Sequence, residues 1–407
     1  MWNRRAFLKA GALAVMSFGW GGTPLFLTRA AAAPSGSARR KVLVTVFQRG
    51  AMDGLMAVQP LNDPSLAQLR PALLLPRQGQ GGLLPLDGRF GLHPSLAPLS
   101  RLFADKQLAI LHGVGSPDAT RSHFDAQDYM ESGTPGRKGS ASGWLNRAAG
   151  LLGHEATPFQ AVALTETMPK SLYGSHPALA VASLEEFHLK SHGAPADQSL
   201  EALYQEATQK SLQRRGGEAF AAMDLLSQKR YAEYRTTADY PNSPLGKSLR
   251  QIAFLIKNDV GLEIAFAESN GWDTHRGQGQ DRGAFAQRAA DLGRSIAAFW
   301  TDLGNYRSDV VLMTMTEFGR TVAQNGSGGT DHGRASCMFV LGESVQGGTV
   351  RGKIASLQRD ALEDGRDLPV TTDFRSVFAG VANQHLGLNA SAQLFPGWQG
   401  KNLALLS

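Results

Sequence analysis

The sequence predicts an α/β fold, a largely parallel central sheet flanked by helices, and three observations carry that expectation. Short β-branched or apolar runs at 42–47, 108–111, 159–164, 262–267, 310–316 and 338–341 lack polar alternation, as strands buried on both faces do. Segments of helical period separate them, at 200–213, 219–236, 248–257, 282–303 and 374–387. The regular succession of strand and helix is the pattern of a parallel sheet between helical layers. In such sheets ligands gather at the carboxyl ends of the strands.

In chain order, the first element is Asn3-Arg4-Arg5-Ala6-Phe7-Leu8-Lys9 followed by the weakly apolar stretch 10–27. This is the layout of a twin-arginine export signal. Gly11, Gly19, Gly21, Gly22 and Pro24 make the stretch a poor membrane span. Ala30 and Ala32 offer small residues to a signal peptidase, and cleavage is expected after Ala32. The expected organisation is a signal at 1–32 and one α/β domain at 33–407, with insertions at about 77–91 and 183–243. The implied partner is the twin-arginine translocation machinery, and the implied location is the periplasm or another exported compartment. No other segment is long and apolar enough to span a bilayer, so no transmembrane segment is expected in the mature chain.

Removing Arg4, Arg5, Lys9 and Arg29 with the signal lowers the basic count from 41 to 37, against 35 acidic residues. That near-balance, with no basic run interleaved with aromatics, leaves no case for nucleic-acid binding. The lone Cys337 cannot form an internal disulfide, and its neighbours Met338 to Leu341 make it a buried strand residue rather than a nucleophile. No haem motif, cysteine cluster or dinucleotide-binding glycine pattern supports a redox role.

The residues that follow the strands carry the chemistry. After 42–47 comes Arg49-Gly50-Ala51-Met52-Asp53-Gly54; after 108–111 come His112, Gly113 and then Arg121-Ser122-His123. After 262–267 comes Asn270-Gly271-Trp272-Asp273-Thr274-His275. After 310–316 comes Glu317-Phe318-Gly319-Arg320, leading through a glycine-rich loop to Asp331-His332. A core needs no such cluster of carboxylates and imidazoles. Asp273 and His275, two apart in an extended segment, project to one side and can grip one ion. Asp331 and His332 are adjacent, and the glycines before them let the backbone turn both inward. Mixed carboxylate and imidazole donors suit zinc or manganese better than calcium. Ser122 opens an expected helix at 123–131, where a serine either caps the helix or serves as a nucleophile activated by the helix end and a metal. Arg49, Arg121, Arg320 and Arg375 can each clamp an oxyanion or sit in an ordinary ion pair; the sequence does not choose.

An ordered series of motifs covers nearly the whole mature chain: RGAMDGL (49–55), RFGLHPSL (89–96), RSHFDAQDYMESG (121–133), GWLNR (143–147), GWDTH (271–275), TEFGRT (316–321), GGTDHG (328–333) and TDFRSV (372–377). The series resembles the domain of unknown function 1501 family, which looks like a branch of the alkaline phosphatase-like superfamily. The resemblance implies an alkaline phosphatase-like fold, one or two divalent metal ions, and phosphoryl or sulfuryl ester chemistry on a small anionic substrate. By the same resemblance Asp53 is similar to a first metal-binding Asp, Asp273 and His275 to the pair holding one ion, and His332 to a late His of that site. Glu317 ends a strand where relatives have Asp followed by His; here Phe318 follows, and Asp331 or His123 would fill the gap. Ser122 stands where a nucleophile would, with Arg320 as an arginine neutralising the transferred group. The expected function is an exported metal-dependent hydrolase-like protein acting on phosphate or sulfate esters. The alternative is a non-catalytic envelope protein that binds a glycan or a protein partner.

Overall fold

The structure, a computed structural model, describes residues 39–154, 156–185, 231–354 and 356–407 together with Val15–Met16. The expected signal at 1–32 (Val15–Met16 aside), the helix expected at 200–213, most of that at 219–236 and the centre of the 183–243 insertion lie outside the described residues. Among the described residues no helix is long and apolar enough to cross a membrane.

The fold is mixed α/β around one large, mostly parallel sheet. Its strands are β1 (Val42–Arg49), β2 (Leu108–Gly115), β3 (Ala161–Ala163), β4 (Leu179–Ala180), β5 (Ile264–Asn270), β6 (Val310–Met315), β7 (Ser336–Leu341), β8 (Val350–Arg351) and β9 (Thr372–Asp373). They lie side by side in the order β4-β3-β5-β1-β6-β7-β2-β8, with β9 also pairing β2 and Val15–Met16 antiparallel to β4 at the outer edge. At the centre β1 is parallel to both β5 and β6, as the unbroken apolar runs require. β7 departs from the rest, running antiparallel between β6 and β2. It therefore presents its N-terminal end where its neighbours present their C-terminal ends. The loop from β6 to β7 thus begins and finishes on one rim.

Successive residues of β1 serve opposite faces, as strand geometry demands. Val42, Val44 and Val46 pack into one apolar cluster, with Ile252 and Phe254 of α5 (Pro244–Lys257), Phe285 and Phe299 of α6 (Ala284–Leu303), and Leu99 of α2 (Ala97–Ala104). Leu43 and Phe47 pack into the other, with Trp144 of α4 (Trp144–Leu151) and Phe378 of α7 (Phe374–Leu386). Local chemistry fixes the helix ends. Ser243 Oγ accepts from the Gly246 amide and Pro244 follows at the first helical position of α5. Asp373 caps α7, which ends on left-handed Gly387.

Two details differ from the sequence reading. His112 does not follow its strand but lies within β2, fully buried, because the apolar run continues past it to Val114. The glycine-rich excursion at 77–91 contributes Leu84–Pro85 and Phe90 to a small antiparallel sheet with Val58–Pro60, where Leu83 and Phe90 are buried. Its glycine content implies an exposed excursion, yet the segment carries these two apolar anchors.

Candidate metal centre

The rim at the C-terminal ends of β1, β5 and β6 holds a cluster of imidazoles. His123 is the first residue of helix α3 (His123–Ser132), Asp273 and His275 follow β5, and His332 precedes β7. Each imidazole has one nitrogen fixed by an acceptor. His123 Nδ1 donates to Glu317 Oε1 at 2.8 Å, His275 Nδ1 to Asp331 Oδ1 at 2.9 Å, and His332 Nδ1 to the Arg121 carbonyl at 2.8 Å. In the neutral form of each ring that places the proton on Nδ1 and leaves Nε2 with a lone pair.

The Nε2 atoms then face one another. His123 and His332 approach to 3.0 Å, and His275 and His332 to 2.8 Å. The Asp273 carboxylate lies 3.1 Å from His275 Nε2, 3.4 Å from His332 Nε2 and 3.5 Å from His123 Nε2. Acceptors at such spacing repel unless a cation lies between them. Zinc bonded at about 2.0–2.1 Å in a tetrahedron spaces its ligands by roughly 3.3 Å, close to the spacings within the His123, Asp273 and His332 set, and His275 adjoins that set through His332 and Asp273. Among the described residues this is where three or more such ligand atoms meet, with those of His123, Asp273 and His332 within 4.8 Å of one another.

The surroundings favour the charged form of the carboxylates and the neutral form of His332, and they favour the protonated form of His123. Burial would raise Asp273, but the hydrogen bond and charge of Arg320 prevail and hold it below the usual carboxylate range. Burial likewise opposes ionisation of Glu317, yet the bonds from His123 and Gln127 lower it. Asn325 and His275 lower Asp331. The Glu317 bond raises His123, whereas burial and the neighbouring charges of His123 and Arg320 lower His332. Phe318, where the resemblance implied a histidine, is buried and packs its ring 4.9 Å from that of His123 and 5.0 Å from that of His332. It acts as an apolar wedge that sets both imidazole planes.

Asp273, His275 and His332 thus converge as the sequence suggested, and His123 joins them. Glu317 and Asp331 stand one bond behind, each orienting an imidazole rather than facing the centre. Asp53 is further back: it caps the short helix at Gly54–Ala57, pairs with buried Arg70 at 2.8 Å and accepts from Gln278 Nε2 at 2.7 Å. Gln278 in turn accepts from Thr274 and Thr330, which flank the ligand loops. Asp53 therefore supports those loops, and its carboxylate is already satisfied. Arg320 is wholly buried and bonds Asp273 Oδ1 at 2.7 Å and Thr330. It positions the Asp273 carboxylate and is not available as an oxyanion clamp. The other three candidate clamps are also engaged: Arg49 by Glu268 and Glu131, Arg121 by Asp364 and Asp367, Arg375 by Asp373. Ser122 occupies the N-cap position of α3 without making a side-chain cap bond, so the capping alternative is not realised. Cys337 is fully buried in β7, and burial pushes its thiol well above the usual range.

Sequence reasoning named His123 only as a filler of a gap, noted Phe318 only as a departure from the family pattern, and passed over Gln127 and Gln278. His123 carried a signal, since it follows Arg121-Ser122 at the head of a motif after the second strand. The glutamines carried none, because their roles depend on partners distant in the chain.

The model of the family described as "Protein of unknown function (DUF1501)" matches residues 109–395. The chain belongs to that family. DUF1501 membership thus spans α3, β5, β6 and the loop before β7, and so every residue of the imidazole cluster. No curated protein matches the chain. Among solved structures, the chain is similar to PsFucS1 sulfatase from Pseudoalteromonas sp., with a TM-score of 0.40 and 10% identity over 91% of this chain and 72% of that one. It is also similar to the C-terminal periplasmic domain of EcEptC from Escherichia coli in complex with Zn, with a TM-score of 0.37 and 8% identity over 76% and 75% of the two chains. A protein in the alkaline phosphatase superfamily from Vibrio parahaemolyticus gives 0.32 and 11% over 78% and 64%. At such distance the chemistry rests on this chain's own residues.

Proposed function

We propose that this DUF1501 protein is an exported, metal-dependent hydrolase-like protein with an alkaline phosphatase-like fold, acting on phosphate or sulfate esters. His123, Asp273, His275 and His332 would hold one divalent ion, zinc or manganese. One observation carries the reading: Nε2 lone pairs and a carboxylate brought to 2.8–3.5 Å while each Nδ1 has its own acceptor. Such an ion, when bound, supplies Lewis acidity toward an ester oxygen.

The chain's own residues do the rest. Arg320 keeps the Asp273 carboxylate ionised and aimed, and Glu317 and Asp331 hold two rings in the ligating tautomer. Ser122, directly before His123 and free of a cap bond, is the nucleophile. Its oxygen forms the new bond to phosphorus or sulfur as the bond to the alcohol oxygen breaks, and the proton the hydroxyl gives up to solvent is matched by one the leaving alcohol takes from it; water then releases the anion and restores the serine. With the motif arginines engaged, exposed Arg276 beside His275 is the cation assigned to the incoming anion. The Arg4-Arg5 segment supports export by the twin-arginine route.

Elemental analysis of the purified chain, alongside a screen of chromogenic phosphate and sulfate esters, tests this. About one ion per chain is expected, lost with activity in Asp273→Ala and His332→Ala. Ser122→Ala is expected to keep the ion and lose turnover; full turnover in that variant removes Ser122 from the reaction. The engagement of all four arginines named as possible oxyanion clamps favours a second reading, a non-catalytic envelope protein whose metal-organised rim binds a glycan or protein partner. A retained ion with no ester turned over selects it.

A further inference from the structure

Phe124 is 90% exposed, and with Tyr173 at 46% it forms the set of exposed large hydrophobic residues among those described. A single exposed apolar side chain is ordinary; its place is not. One peptide link, about 3.8 Å between Cα atoms, separates Phe124 from the ligand His123. In α3 the inward face is formed by Ala126, Tyr129 and Met130, all buried, so the ring of Phe124 contributes nothing to the core. Its neighbour Asp125 is paired with Lys138, leaving the ring itself uncovered. The centre opens to the same solvent: the Asp273 side chain is 42% exposed, and those of His123 and His332 are partly so. An anion reaching the Nε2 atoms from outside carries its alcohol group across this rim.

Resting on the ester-hydrolase reading, we propose that Phe124 determines specificity by receiving a flat apolar face of the substrate's alcohol part, either an aryl ring or the C–H face of a sugar. A ring held beside a charged centre favours groups that are anionic at one end and flat and apolar at the other. Small aliphatic esters present no such face and gain nothing from it.

The test is binding to the zinc-loaded full chain, with methylphosphonate, phenylphosphonate and the phosphonate analogue of glucose 6-phosphate as non-hydrolysable probes. At least one flat probe is expected to bind about tenfold more tightly than methylphosphonate; which one distinguishes aryl from sugar. Phe124→Ala is expected to abolish that preference while leaving zinc content and methylphosphonate affinity unchanged, and Phe124→Tyr to keep it. Equal preference in Phe124→Ala, or none in the parent chain although methylphosphonate binds, overturns the role of Phe124. If zinc is held but no phosphonate binds, or if zinc is not held, the ester-hydrolase reading fails and this inference with it.

Discussion

An imidazole can ligate a metal only through a nitrogen that carries no proton, and a neighbour that accepts from the other nitrogen decides which one that is. Glu317 has this role for His123, with Gly50 and Gln127 also donating to the same oxygen. Glu317→Gln is therefore expected to leave the fold intact and weaken zinc binding by about 10- to 100-fold, measured by competition with a chromophoric chelator. An unchanged affinity would show that the carboxylate does not set the tautomer. Asp53 makes the opposite case. Removing one member of a buried ion pair costs about 3–5 kcal/mol, so Asp53→Ala is expected to lower the melting temperature sharply through the stranded Arg70. The folded fraction of that variant should still bind zinc; a stably folded variant without zinc would return Asp53 to the ligand set.

Loops place the donors, and close backbone contacts place the loops. Gly50 has φ +112°, and a Cβ there would lie 2.5 Å from the Asp273 amide nitrogen. The turn after β1 thus leans on the turn after β5. Gly50→Ala is expected to displace Asp273, reducing both thermal stability and metal content. Gly277 is also left-handed, at φ +53°, but a Cβ there meets nothing within 4 Å. Gly277→Ala should cost only about 1 kcal/mol of backbone strain and leave metal content untouched. Comparable metal loss in both variants would mean that strain, and not the contact with Asp273, is responsible. The glycine-rich segment between β6 and β7 is similarly ordered, with Thr321 donating to the Asp331 carbonyl and Gly333 to that of Gly319, which brings His332 back beside Arg320.

At the scale of the whole molecule, acid reaches the core through neutral histidines. His112 Nε2 donates to the Val58 carbonyl while Nδ1 accepts from the Gly113 amide, so a second proton has no acceptor. Burial pushes His112 down from 6.5 to about 4, and His385, bonded to the Val42 carbonyl, likewise. The unfolded chain takes up these protons below pH 6.5, whereas the folded chain resists until about 4. Their contribution to stability is therefore whole above that window and falls as the pH drops through it. Melting temperatures of chelator-treated protein, in which loss of metal cannot contribute, are expected to fall steadily from pH 7 to 4.5; a flat profile would show that these rings are protonated in the folded state.

The sequence by itself determined the layered α/β fold, because strands buried on both faces must be apolar throughout and such runs are legible without coordinates. It also singled out Asp273, His275 and His332, since chemistry collects where strands end. What tertiary structure alone decided was rank among similar side chains. Asp53, Asp273, Glu317 and Asp331 all follow strands or loops in the same manner, yet one faces the imidazole nitrogens, two orient rings and one caps a helix and neutralises Arg70. The direction of β7 was decided there too, and with it the return of His332 to the shared rim. Spacing along a chain reports which residues can be near one another. Whether a carboxylate is left open for a ligand depends on donors hundreds of residues away, and only packing brings those into range.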